Sequence, residues 1–223
     1  MAKVKTQKPF AVKGIRVTSP RGQALWCKVK DADYAYNPKG TLSTSLICDP
    51  DEPTVKNFVT KLEELRDTAL MEARETLGAV KGKGLKAKDV FVDELDSDGE
   101  PTGNIIFKFA LKDIDDREPP KNKINVVDAK TKPITKVPLV GNGSIIKCSA
   151  FANPYHMANT KEIGISLIWE GMQIINLEEY SGGASAFDEE DGYSYVDNYA
   201  IDFDKEDGGD DIADDDDSDA SDY

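Results

Sequence analysis

The chain has 223 residues, with 42 acids against 28 bases for a formal net charge of −14, enough for one ordinary domain with extensions. Its three cysteines, Cys27, Cys48 and Cys148, are far apart and form no CxxC pair. That argues against a zinc site or a disulfide framework and fits a reducing cytosol. The polar, basic start "MAKVKTQKPF" is no secretory signal, and no apolar run reaches the length of a membrane span.

The charge is divided along the chain. Residues 187–223 hold 17 of the 42 acids and one of the 28 bases, which leaves the tail at −16 and everything before it at +2. The first 30 residues hold eight bases and no acid. Such polarity predicts a basic surface for a polyanion and an acidic tail for something basic, the chain's own body included.

Residues 1–22, broken by Pro9, Gly14, Pro20 and Gly22, read as a basic arm with one short strand. "ALWCKVK" then alternates, with Leu25, Cys27 and Val29 expected inward and Trp26, Lys28 and Lys30 outward. "NPKG" at 37–40 is a turn, and "TLSTSLIC" is the next strand. From Asp51 to Leu77, Val55, Phe58, Val59, Leu62, Leu65, Ala69, Ala73 and Leu77 recur at helical spacing. Asp51 is the expected cap, Pro53 suits the first turn, and Gly78 ends the helix. "KGKGLKAK" (81–88) reads as a loop, and residues 90–111 as a hairpin with an Asp/Gly-rich connection. Strands follow at 123–128, 144–151 and 162–177, with Gly171 marking a bulge in the last. Six or seven strands and one long helix predict a mainly β domain over 23–186, a small barrel or a sandwich; a helix following the early strands of a small closed barrel is the arrangement of an OB-fold, here a barrel of five strands plus extensions. The acidic segment 187–223 is too polar to build a core and is expected to be disordered.

Catalytic signatures are weak. The one histidine, His156, reads as a loop residue. "ELDSDG" (94–99) lacks the terminal Glu of a calcium loop, since Ile105 stands at its twelfth position. The carboxylates of "KDIDDRE" (112–118) are the one arrangement that admits a metal-dependent nuclease, and a solvated loop explains them better. The Gly-Lys loop has no GxxxxGK[ST] pattern. No cofactor or metal is called for.

A track for single-stranded nucleic acid needs cations for phosphates and rings for bases. Strand alternation places Trp26 beside Lys28, Lys108 and Lys112 on the face opposite Phe107 and Phe109, and Lys147 with Phe151 outward. Tyr34 and Tyr36 precede the turn that carries Lys39.

On "NPKG", "FKF" (107–109), "INVVDAKTKPITKVPLVGNGSIIKCSAFANPY" (124–155) and an acidic tail closed by an aromatic, the chain resembles the T7-type, podovirus-like phage single-stranded DNA-binding proteins. The resemblance covers roughly 23–223. It implies an OB-fold, DNA binding without catalysis, and work in replication, recombination and repair within the host cytoplasm. It also implies DNA contacts at Lys39 and Lys108. Ala110 stands where the family has another lysine, and Tyr223 where it has a terminal Phe. The tail, through Asp214, Asp215, Asp216, Asp217 and Tyr223, is then expected to compete with DNA and to dock the replicative polymerase and the helicase-primase. A homodimer is compatible with the sequence. Two rivals stand beside this reading: an acidic-tailed chaperone for basic partners, and the nuclease.

Overall fold

The computed structural model describes residues 8–112 and 124–178. The acidic tail and the 113–118 carboxylates lie outside these residues. Nine strands and one long helix occur in the order β1 (Ile15–Thr18), β2 (Gly22–Asp33), β3 (Thr41–Cys48), α1 (Pro53–Gly82), β4 (Lys86–Ala87), β5 (Val92–Leu95), β6 (Pro101–Lys112), β7 (Asn125–Val127), β8 (Ile145–Met157) and β9 (Glu162–Asn176).

Five of these strands close a cycle of pairings. β8 pairs β2, β2 pairs β3, β3 pairs β6, β6 pairs β9, and β9 returns to β8. All are antiparallel except β6–β9. Alternation fills the inside of the cycle. Ile105, Phe107, Phe109 and Leu111 of β6 are buried, as are Ile146, Cys148, Ala150 and Ala152 of β8. All but Ala152, beyond the expected end of its strand, follow the period-2 patterning of the sequence. Phe107 is the centre of this core, with Phe58 of α1 edge-on at 5.0 Å and Phe91 at 6.3 Å. Complete burial of such a ring contributes about 1.5–3 kcal/mol.

The helix begins at Pro53, whose missing N–H costs nothing in a first turn. Asp51 does not cap it. Glu52 occupies the cap position without a capping hydrogen bond from its side chain, and Asp51 instead pairs with Lys56 at 3.0 Å. The first half of α1 puts Val55, Phe58 and Leu62 into the main core. The second half puts Ala69, Leu70 and Ala73 into a smaller cluster with Phe10, Leu85 and Ile163. Gly78 breaks the helix with φ 71° but does not end it, because a further turn runs to Gly82. The expected loop at 81–88 is therefore helix end plus β4, which lies parallel to the start of β9. Arg66, not foreseen as an interior residue, is buried and held by Asp67, Glu63 and the carbonyl of Lys88.

Residues 8–22 pack onto the body. β1 pairs β8, and Phe10 is buried. The 94–99 segment is a hairpin connection. Asp96 Oδ1 accepts from the amides of Asp98 and Glu100, and Gly99 takes the positive φ that closes the turn. β8 runs six residues past the expected strand end at 151, so His156 lies on a strand opposite Ile163 and not in a loop. In β9, Ser149 faces Gly171 while Ala150 faces Trp169, which leaves Glu170 as the extra residue of the expected bulge.

Candidate nucleic-acid interface

β2 carries the largest departure from the expected alternation. Leu25 pairs Ser45, and Lys28 pairs Ser43, so three steps on β2 match two on β3. The extra residue flips the faces. Before it, Ala24 is buried against Leu46; after it, Val29 is buried and Cys27 half-buried. Leu25, expected inward, is paired with Ser45 on the opposite face from Ala24 and Leu46. Trp26 sits at the bulge with φ 54° and is 68% exposed. A bulky residue in that region of φ costs on the order of 1–3 kcal/mol and needs its surroundings to hold it. Here the Trp26 amide donates to Asn142 Oδ1 at 2.8 Å.

With the faces set, register aligns the outer side chains across three strands. One row is Leu25, Ser45 and Lys108; the next is Lys28, Ser43 and Ala110; a third is Asp33, Thr41 and Lys112. Lys28 thus stands in the row of Ala110. Its ammonium is bonded to Asp33 Oδ2, and Asp33 Oδ1 accepts from the Ala35 amide. The Lys28 bond first, and the Ala35 amide second, hold the Asp33 carboxyl below its ordinary value.

The β2–β3 turn is built by Asn37. Its carbonyl accepts from the Gly40 amide, its side-chain oxygen accepts from the Lys39 amide, and its Nδ2 donates to the Gly40 carbonyl and Thr41 Oγ1. Gly40, at φ 77°, completes the reversal. Lys39 is carried exposed at its tip. Tyr34 and Tyr36 are exposed beside it, Tyr36 almost wholly.

Two clefts open here. One, of about 390 Å³, lies among Asp33, Tyr36, Asn37, Thr41, Ser43 and Lys112. The other, of about 300 Å³, lies between β2 and residues 138–142 and is walled by Trp26 and Leu139. They adjoin where Lys28, in the second, pairs with Ser43, in the first. Exposed rings thus stand at both ends of the stretch from Trp26 to Tyr36, with Lys28 and Lys30 between them.

Seven of the nine residues expected on the body come together this way: Trp26, Lys28, Tyr34, Tyr36, Lys39, Lys108 and Lys112. Lys147 and Phe151 do not join them through any strand pairing. They lie on β8, opposite Gln173 and Ile168 of β9. Phe151 is half-buried; a Cβ added at Gly14 would lie 2.6 Å from its ring. Asp214, Asp215, Asp216, Asp217 and Tyr223 fall outside the described residues. Sequence reasoning missed Asp33, Leu139 and Asn142. The single available signal was "VPLVGNGS", whose glycines marked a structured loop without showing what it faces.

The three thiols are poor nucleophiles. Burial pushes Cys27 up to about 11 and Cys48 to about 12, and holds Cys148 well above the ordinary thiol value. Among the described residues no group of three or more His, Cys, Asp or Glu is placed to hold a metal ion. No helix among them is long and apolar enough to cross a membrane.

Comparison with known proteins places this chain. The family model described as "Single-stranded DNA-binding protein, Bacteriophage T7" matches residues 22–177. Two relatives carry the name single-stranded DNA-binding protein. That of Escherichia phage T7 is 24% identical over 167 residues, 70% of this chain and 72% of its own length. That of Enterobacteria phage T3 is 24% identical over 154 residues, 66% of each chain. The crystal structure of gp2.5, a single-stranded DNA-binding protein encoded by phage T7, superposes with TM-score 0.61 at 23% identity. It covers 82% of this chain and 100% of that one. The single-stranded DNA-binding protein of phage Enc34, in complex with single-stranded DNA, gives 0.50 at 10% identity, with 77% and 94% covered. The structural likenesses establish a shared fold, and the family model spans β2 through β9: the chain belongs to the T7-type phage single-stranded DNA-binding protein family.

Proposed function

We propose that this protein binds single-stranded DNA, without catalysis, in phage DNA replication, recombination and repair in the host cytoplasm. The observation that carries the reading is the outer face of β2, β3 and β6, where Lys28, Lys39, Lys108 and Lys112 run beside Trp26, Tyr34 and Tyr36. Lysines track phosphates and rings stack on bases whatever their sequence. The cycle of five strand pairings supports reading the body as an OB-type barrel, with this face as its groove. Membership of the family supports the same ligand. The acidic segment 187–223, at −16, is proposed to compete with DNA for the groove and to dock basic patches on the replicative polymerase and helicase-primase.

The test is anisotropy of a labelled single-stranded oligonucleotide, titrated with protein in magnesium buffer. A complex is expected, with a log–log salt slope of roughly −3 to −4 if four to six phosphates are neutralised at about −0.7 each. No complex, or cleavage of the strand, would overturn the reading. Deleting 187–223 should tighten binding most at low salt, with the gain shrinking near 1 M, where screening acts within about 3 Å. Deleting Tyr223 alone should leave DNA affinity unchanged and weaken partner binding.

A further inference from the structure

We propose that the cleft between Trp26 and Leu139 is a slot for one unstacked nucleobase, a discrete subsite within the DNA track. This rests on the DNA-binding reading and adds an occupant and a second wall to it. Three observations carry the assignment.

The cleft is apolar and small. Its volume is about 300 Å³, at the lower end of the roughly 300–1,000 Å³ of small-molecule sites. That suits one planar ring system. Trp26 forms one wall, and Leu139, 47% exposed, stands among the lining residues contributed by the 138–142 segment. Lys28, Lys30 and Asp31 line it as well; the two lysines, against one carboxylate, leave a cationic rim for the phosphates flanking an inserted base. With few polar groups to read a base edge, the slot takes any base by its flat face.

Trp26 is held there at a cost. Its left-handed backbone serves no buried contact of the ring, which is mostly in solvent. Strain kept at an exposed aromatic points to a ligand-facing role.

The loop opposite is built to face Trp26. Ser144, fully buried, donates to the Gly141 carbonyl, and the Gly143 amide donates to the Ala24 carbonyl. The Ala24 amide returns a bond to the Ser144 carbonyl, and Asn142 accepts from Trp26. Gly143, at φ 92°, permits the reversal. These bonds tie residues 141–144 to β2 just before the bulge and at it, and the same stretch brings Leu139 into the lining of the cleft with Trp26. The "VPLVGNGS" stretch thus acquires a function.

The experiment compares Leu139→Ala with the unaltered protein on two labelled oligomers: oligothymidylate, and the same phosphodiester chain carrying abasic sites throughout. Leu139→Ala should weaken binding to the thymidylate about fivefold or more, leave its salt slope unchanged, and leave affinity for the abasic chain unchanged. Equal affinity of variant and unaltered protein for the thymidylate would overturn the slot while leaving DNA binding intact. An equal loss on both oligomers would also overturn it, since the defect would then not involve a base. If the unaltered protein binds neither oligomer, the DNA-binding reading itself fails and the slot with it.

Discussion

Trp26 and Phe151 begin alike. Each is an aromatic on a long strand, close to lysine, on the side away from the core. Trp26 ends mostly in solvent at the mouth of a cleft, whereas Phe151 is half-buried with Gly14 against its ring. The difference does not lie in the strands that carry them. β2 leaves the edge beyond Gln23 to a loop that bonds its backbone and stops short of the ring, while β8 receives β1 along residues 149–152. An outward ring stays open to a ligand only where the chain packed beside it leaves it uncovered.

The comparison can be broken by exchanging readouts. Trp26→Ala should cost about 1–3 kcal/mol of DNA binding and little fold stability. Phe151→Ala should do the opposite, lowering stability by about 1–2 kcal/mol, a fraction of the value for full burial, with DNA affinity nearly intact. Paired denaturant melts and DNA titrations decide it; a Trp26 variant that mainly unfolds would show the ring to be structural.

The lysines give a smaller contrast. Lys108→Ala should weaken binding on every sequence and make the salt slope shallower by about 0.7. Lys147→Ala, on the β8 side, should leave the slope where it was. Equal slopes for the two variants would mean that the track runs differently around the body.

The smallest effect concerns Asp33. Its carboxylate accepts from the Lys28 ammonium, which on the proposed track a phosphate would share or take over. Exposed pairs of this kind are weak, about 0–1 kcal/mol. Asp33→Asn should therefore tighten DNA binding about two- to threefold and steepen the salt slope by up to about 0.7. Because Lys28 lowers the Asp33 pKa, the carboxyl stays charged through neutral pH and protonates only as pH falls below the ordinary carboxylate range. Affinity should accordingly show no Asp33-linked step between about pH 5 and 8, and the contact is released by substitution and not by mild acid.

What the sequence made legible was whatever repeats at short range. The alternation in 105–111 and 146–150, the three- and four-residue spacing from Val55 to Leu77, and the Gly171 bulge all follow from local geometry. The turn at 37–40 did too, because Asn37 and Gly40 impose it by themselves. The phase of β2 was misjudged because "ALWCKVK" fits two registers, and the extra residue at Trp26 depends on bonds to Asn142, 116 positions away. For the same reason neither the place of Leu139 in the cleft nor the chain packed over Phe151 was visible: alternation says which way a side chain points, and nothing about what lies over it. Arg66 was lost in a helix whose charges all looked solvated, since its partners include the carbonyl of Lys88 beyond the helix end.

Ser144, which steadies the loop opposite Trp26, also accepts from the Glu178 amide, and the Gly141 amide donates to the Glu178 carbonyl. The last described residue is therefore fastened to the wall of the cleft, and the 45 residues from 179 to 223 are tethered from that point. An anionic segment held on a short leash meets its target at an effective concentration that reaches the millimolar range, and this value is unaffected by how much protein is in solution. The proposed competition would then not be diluted away: DNA should meet the same opposition at nanomolar protein as at micromolar, and only salt, or a partner bound to the segment, should change it.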